Sequence, residues 1–225
     1  MLTKNDFQRL EKLSGLPEDV IRTVMAVEAG GSGFTEYNGE KKPKILFEPH
    51  LFHANTKGTY DVTSPDISKK NWDATRASGH YNLPQWPTFL KAYALNPDAA
   101  IKSTSWGVGQ VLGSNYKAAG FSSLKDFMNA MNDEFKQALA MIKFITSNSK
   151  MKEALKNHDW DGFAALYNGP QYKKNKYQDA LAAAFKKVKK KIQEVEKTVE
   201  DNPVPTVIGL LAILLVSWYL YRQTA

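Results

Sequence analysis

Residues 203–221 run for nineteen positions without a charge, and no other segment limits so sharply what the chain can become. As an α-helix this stretch is roughly 28 Å long, close to the ~30 Å hydrocarbon thickness of a bilayer. Val204, Leu210 and Leu214 lie inside it. Trp218, Tyr219 and Tyr221 stand at its distal edge ahead of Arg222, the pattern of an interfacial aromatic belt. A terminal helix that is apolar all round has no polar face to offer water, so a buried core helix is the weaker reading. The expectation is a transmembrane anchor over 203–225, preceded by a domain at 1–172 and a long amphipathic helix or stalk at 173–202.

The 225 residues include no cysteine, so neither disulfides nor thiolate metal sites are available. Thirty Lys and Arg against 23 Asp and Glu leave a net charge of +7, a balance that favours anionic partners such as nucleic acid, phospholipid headgroups or a bacterial envelope. The start of the chain, Met1-Leu-Thr-Lys-Asn-Asp-Phe7, lacks a charged beginning followed by an apolar run, so no signal peptide is expected there.

The N-terminal two-thirds reads as mostly helical. Thr3 caps a first helix with Asp6 in its first turn, and Ser14-Gly15 ends it. A second helix runs from Pro17 to Glu28, with proline at its first position and glycines beyond its end. Asn38-Gly39 between short extended pieces predicts a small hairpin, and Ile45-Leu46-Phe47 a strand. Residues 53–88 are rich in Gly, Pro, Ser and Trp and read as a long ordered loop. Trp72, Tyr81 and Trp86 pin it to the domain, with stacking on sugar rings as the alternative. Helices are expected over 88–95, 98–103, 107–119, 124–131, 133–147, 150–157 and 160–167. From Lys173 to Asp201, Leu181, Phe185, Val188, Ile192, Val195 and Val199 recur at spacings of four and three, a narrow seam. The first half of that helix is expected to pack on the domain and the second to form the stalk; self-association through 181–199 is another use for the seam. Lys186, Lys187, Lys189, Lys190 and Lys191 read as a solvated face or a phospholipid contact, and no nucleic-acid partner is expected.

Glu28 lies on the apolar face formed by Val20, Ile21, Val24, Met25 and Val27, in the last turn of its helix. Helix C-termini carry negative partial charge, and partial burial acts in the same direction. Both raise the pKa of a carboxyl group, as a proton donor working near neutral pH requires. A surface Glu beside a glycine cap is the bland alternative. Two further motifs follow it in order: Ser105-Trp-Gly107-Val-Gly109-Gln110-Val111, and Ala165-Leu-Tyr167-Asn168-Gly169-Pro170. A Glu followed by small residues, then Gly-x-x-Gln, then aromatic-Asn-Gly is similar to the pattern of the lysozyme-like superfamily, including goose-type lysozymes and soluble lytic transglycosylases.

Residues 27–51, with Val-Glu-Ala-Gly-Gly-Ser-Gly-Phe34 and Lys44-Ile-Leu-Phe-Glu48-Pro-His50, resemble the phage N-acetylmuramidase domains of endolysins. The likeness continues through Tyr60-Asp61 and Ser64-Pro-Asp-Ile67 and covers roughly residues 10–185. It implies a mainly α fold of the α+β lysozyme-like kind: a helical domain with a small hairpin, then a long helix and one transmembrane helix. Glu28 and Glu48 match the family's catalytic pair. The turn between them, Tyr37-Asn-Gly-Glu-Lys41, is a few residues longer here. The separate peptidoglycan-binding module common in those endolysins is replaced by the apolar tail.

Cleavage of the β-1,4 bond after N-acetylmuramic acid needs an acid to protonate the leaving oxygen and a second carboxylate as nucleophile, base or electrostatic stabiliser. Glu28 is assigned the first role and Glu48 the second, with a structural Glu before proline as the alternative for Glu48. Ser105 and Gln110 are expected to shape the cleft floor and bond sugar acetamides. Tyr167 and Asn168 are expected beside the substrate, with plain core packing as the alternative for Tyr167. His50 and His53 invite a metal reading but lack a third ligand, so neither metal nor cofactor is implied. The chain reads as a membrane-anchored peptidoglycan hydrolase of phage lysis or entry. The alternatives are a lytic transglycosylase giving 1,6-anhydro products and a non-catalytic peptidoglycan-binding virion protein. The lysines ahead of residue 203, with only Arg222 after the span, would keep the domain on the cytoplasmic side of a bacterial inner membrane. Two arrangements resolve that conflict: the domain crosses once the inner membrane is disrupted, or, as the favoured reading, the protein is a single-pass component of a phage virion membrane.

Overall fold

The computed structural model describes residues 2–28, 32–169, 172–173 and 176–201. Thr3 opens helix α1 (Lys4–Ser14). Its hydroxyl accepts the Asp6 N–H at 3.2 Å while the Asp6 carboxylate accepts the Thr3 N–H at 3.0 Å, and Gly15 closes the helix in the left-handed region. Helix α2 (Glu18–Glu28) packs on α1 and buries Val20, Ile21 and Val24. The expected glycine cap beyond Glu28 falls at residues 29–31, outside the described residues.

Strands β1 (Phe34–Tyr37) and β2 (Glu40–Pro43) form the predicted hairpin. Asn38 and Gly39 both take positive φ, 52° and 73°, as a two-residue primed turn requires. The sequence reading lacks a second, three-stranded sheet. Strands β3 (Ile45–Phe47), β4 (Thr104–Trp106) and β5 (Val111–Leu112) run antiparallel in the order β3-β4-β5, with Ile45 opposite Trp106 and Trp106 opposite Val111.

This sheet corrects the helix predicted over 107–119. Gly107 and Gln110 sit at φ 68° and 44°, in the left-handed region that an α-helix cannot use. The chain therefore reverses into β5, followed by a 3-10 turn at Gly113–Asn115. The loop predicted over 53–88 is also corrected. Helix α3 (Pro49–Thr56) reaches into it, and α4 (Trp72–Ala77), a 3-10 turn at His80–Asn82 and the start of α5 (Gln85–Leu95) occupy much of the rest. Proline at the first position of α3 and the Asn71 side chain accepting the Ala74 N–H at 2.9 Å are the local causes. Elements this short carry too few residues for a hydrophobic period. Between α3 and α4, Asp61 accepts from His53 Nδ1 at 2.8 Å and from the Ser68 hydroxyl at 2.6 Å, which ties the intervening turns down.

Helices α6 (Pro97–Lys102), α7 (Leu124–Ala130), α8 (Glu134–Thr146), α9 (Ser149–Lys156) and α10 (Trp160–Asn168) lie where the sequence places them. Asn96, Ser123, Asp133, Asn148 and Asp159 each cap one through a side-chain acceptor. The core beneath them includes fully buried Phe47, Phe52, Phe89, Trp106, Phe127 and Phe163. Phe89 and Trp106 meet edge to face at 5.1 Å.

The chain divides after Phe185 into two compact units, at 1–185 and 186–225. Helix α11 (Tyr177–Asp201) begins in the first. Leu181 is fully buried there, and the Phe185 ring packs at a tilt against His158 at 4.5 Å and Trp160 at 5.2 Å. The first two seam positions are thus taken up by the domain itself, while Val195 in the second unit is exposed. Among the described residues no helix is long and apolar enough to cross a membrane. The anchor expected at Val204, Leu210, Leu214, Trp218 and Tyr221 lies outside them.

Candidate active site

Glu48 is positioned by the edge of the second sheet. Its N–H donates to the Ser103 carbonyl at 2.9 Å, extending the β3-β4 ladder by one residue. The outer edge of β3 is satisfied by side chains: the Phe47 N–H donates to Gln85 Oε1 at 3.1 Å, and the Phe47 carbonyl accepts from His80 Nε2 at 2.7 Å. Glu48 then occupies the N-cap position of α3, where it makes no side-chain capping bond. Its Oε2 instead accepts from the Tyr81 hydroxyl at 2.7 Å. His50 Nδ1 lies 3.5 Å from the same oxygen. That contact is not a salt bridge at neutral pH, because burial, aided by nearby His80, holds the His50 pKa down; among the described residues the nitrogen has no hydrogen-bond partner.

Glu28 is the last residue of α2 and is half-buried. Its Oε1 accepts a hydrogen bond from Tyr177, on α11. Tyr177 lies nearly parallel to Tyr167, with centroids 6.5 Å apart and planes 10° apart, and Tyr167 stacks in turn on Phe163 at 5.1 Å. The Tyr167 hydroxyl donates to the Gly109 carbonyl at 3.1 Å, which joins α10 to the turn between β4 and β5. Asn168 is exposed, with its side chain at the Tyr177 hydroxyl.

Burial pushes both glutamates above the usual carboxylate range, opposed in each case by the tyrosine hydrogen bond. The two phenols are pushed up by burial first and then by the carboxylate each one faces. Tyr167 is likewise raised by burial and by the charge of Glu28. The helix ends separate the two acids further. The C-terminus of α2 disfavours a charge on Glu28, and the N-terminus of α3 favours one on Glu48.

The six site residues predicted from the sequence thus fall into two clusters and a connecting turn. Glu28, Tyr167 and Asn168 come together around Tyr177. Ser105 lies in β4 opposite Leu46, on the strand beside the one that leads into Glu48. Gln110 commits its amide nitrogen to the Gly107 carbonyl at 2.8 Å and the Lys44 carbonyl at 3.4 Å. Among the described residues no three His, Asp or Glu side chains converge as metal ligands. Tyr177 is absent from the sequence prediction altogether, and Tyr81 figures there as a loop anchor or a platform for sugar rings, not as a partner of Glu48. Their partners lie 149 and 33 positions away, distances over which no local pattern carries a signal.

The fold, a helical bundle with small antiparallel sheets, is that of the lysozyme-like glycoside hydrolases. The structure is similar to the crystal structure of Burkholderia AP3 phage endolysin, with a TM-score of 0.71 and 26% identity over 84% of this chain and 72% of that one. No curated protein matches the chain. The N-acetylmuramidase family model matches residues 17–189, and the chain belongs to that family. It is accordingly a peptidoglycan hydrolase of the lysozyme-like type.

Proposed function

We propose that the enzyme cleaves the β-1,4 bond between N-acetylmuramic acid and N-acetylglucosamine, with Glu28 as general acid and Glu48 as the second carboxylate. The observation that carries this reading is the opposite placement of the two groups: Glu28 ends a helix and Glu48 begins one. Two carboxyls in environments that favour different protonation states can divide acid and carboxylate roles at one pH. Neutral Glu28 gives its proton to the glycosidic oxygen as the carbon–oxygen bond breaks. Ionised Glu48 stabilises the positive charge that develops on the sugar, or attacks it, or takes a proton from the attacking water. Ser105 and Asn168, with the carbonyl oxygen of Gln110, bond the sugar substituents, and Tyr167 lines the site.

Turbidity clearing of purified cell walls tests the assignment. Glu28→Gln should remove activity by at least about a hundredfold, the usual contribution of a general acid; clearing at the wild-type rate would overturn it. The products must carry reducing ends. A 1,6-anhydro end would instead mark a transglycosylase.

The likeness to a phage endolysin supports a role in phage lysis or entry. The uncharged run at 203–221 supports a single-pass anchor in a virion membrane or a bacterial inner membrane. The first two seam residues are packed inside the domain, so any self-association would use the later part of α11. Protease accessibility of the domain on intact particles and on spheroplasts separates the two membranes.

A further inference from the structure

Each candidate catalytic glutamate accepts one hydrogen bond from a tyrosine, and each phenol is itself held in place. Tyr177 donates to Glu28 Oε1 and is stacked on Tyr167. Tyr81 donates to Glu48 Oε2 and sits edge to face with His80, whose own ring is fixed on the Phe47 carbonyl. We propose that Tyr177 and Tyr81 are positioning residues that assign the protons of the pair: Tyr177 selects the oxygen on which Glu28 carries its proton, and Tyr81 favours the ionised form of Glu48. The inference rests on the acid and carboxylate roles given above.

A neutral carboxyl accepts hydrogen bonds best at its carbonyl oxygen, because the other oxygen bears the proton. A phenol donating to Oε1 therefore holds the acidic proton of Glu28 on Oε2, leaving that oxygen for the glycosidic bond. The same donation to an ionised group is a charge-assisted bond and lowers the cost of its charge. Both phenols keep their protons throughout, since burial and the facing carboxylate oppose their ionisation. Among the described residues, the titratable groups that face Glu28 are Tyr167 from α10 and Tyr177 from α11. Those that face Glu48 are Tyr81, following α4, and His50 from α3, with His80 behind His50. Each glutamate thus has one phenol donor of its own, and the two can be removed separately.

The test is the pH profile of kcat/KM for full-length Tyr177→Phe and Tyr81→Phe, both of which keep the ring. In Tyr177→Phe the alkaline limb, set by the acid, should move up by roughly one pH unit while the acidic limb stays. In Tyr81→Phe the acidic limb should move up by a similar amount while the alkaline limb stays, the size expected for one hydrogen bond to a charged group. If turnover is too low to follow, NMR titration of the two carboxyl carbons reads the same shifts in the folded variants. Unmoved midpoints in variants that melt like wild type overturn the proposal, as does a shift of the opposite limb. Wild-type activity in Glu28→Gln and Glu48→Gln would instead overturn the underlying roles, so the two failures are distinguishable.

Discussion

The side-chain amide of Gln137 donates to the carbonyl of Gly33, 104 positions away, at 3.1 Å. The same side chain accepts the Val108 N–H at 2.8 Å and donates to the Met131 carbonyl at 2.6 Å, and it is almost wholly buried. It therefore clasps the segment that follows Glu28 to the turn that carries Gly107 and Gln110. Replacing Gln137 with Leu removes the partner of the Val108 N–H and of the Met131 carbonyl in a dry environment. Each stranded group costs about 1–3 kcal/mol. The Gly33 carbonyl keeps the Lys44 N–H at 2.8 Å. We predict a loss of about 3 kcal/mol in denaturant unfolding, accompanied by reduced activity because both walls of the turn are released.

The glycines around this clasp should couple to it. A Cβ on Gly33 would run into the Gln137 carboxamide oxygen and lie 2.9 Å from the Val108 nitrogen, and one on Gly107 would lie 2.7 Å from Gln137 Cδ. Gly107 also holds φ at 68°, which a side chain resists. Gly33→Ala should destabilise the wild-type background markedly and a Gln137→Ala background less. In a double-mutant cycle the coupling should exceed about 0.5 kcal/mol. Strict additivity would show that the two residues do not share the site as described.

Legibility from sequence followed the range of the interactions. Thr3 with Asp6, Asn38 with Gly39, and the five capping residues of α6 to α10 act within a few positions, and each element they punctuate lies where the pattern places it. Glu28 and Glu48 stood out through helix position and family motif. The second sheet did not, because β4 and β5 have three and two residues, and β4, which joins β5 to the sheet, pairs with Ile45–Phe47 far back in the chain. Gly107 to Asn115 imitated a helix start although its backbone takes left-handed angles, which the residue types permit but do not announce. The tyrosine partners of both glutamates are products of tertiary packing alone.

The raised pKa values of the two glutamates carry a stability cost with a definite pH dependence. Both folded pKa values lie above the ordinary 4.5 because of burial. The folded state therefore binds these protons more tightly than the unfolded chain. Their contribution is most favourable below pH 4.5 and is lost as pH rises through the folded values. Glu28→Gln and Glu48→Gln retain an oxygen to accept from Tyr177 and Tyr81 but carry no charge to desolvate. Each should melt higher than wild type at pH 7, and the gain should shrink towards zero when melting is repeated below pH 4.5. A gain that persists unchanged at low pH would point to packing rather than charge.

Helix α11 should be required by the domain, although the sequence alone suggests a boundary at residue 172. A chain ending there loses Tyr177 from Glu28, the fully buried Leu181, and the contacts of Phe185 with His158 and Trp160. Removing one buried leucine down to alanine already costs about 2–5 kcal/mol, a large part of the stability of an ordinary domain. Residues 1–172 should therefore be insoluble or lack a cooperative melt. Residues 1–201 should melt cooperatively and clear cell walls at a rate close to that of the full chain in detergent. Within the longer chain, Leu181→Ala should lower stability by that same 2–5 kcal/mol without changing the pH limbs of activity. A cooperative, active fragment of residues 1–172 would show that α11 is an appendage and that Tyr177 is dispensable to Glu28.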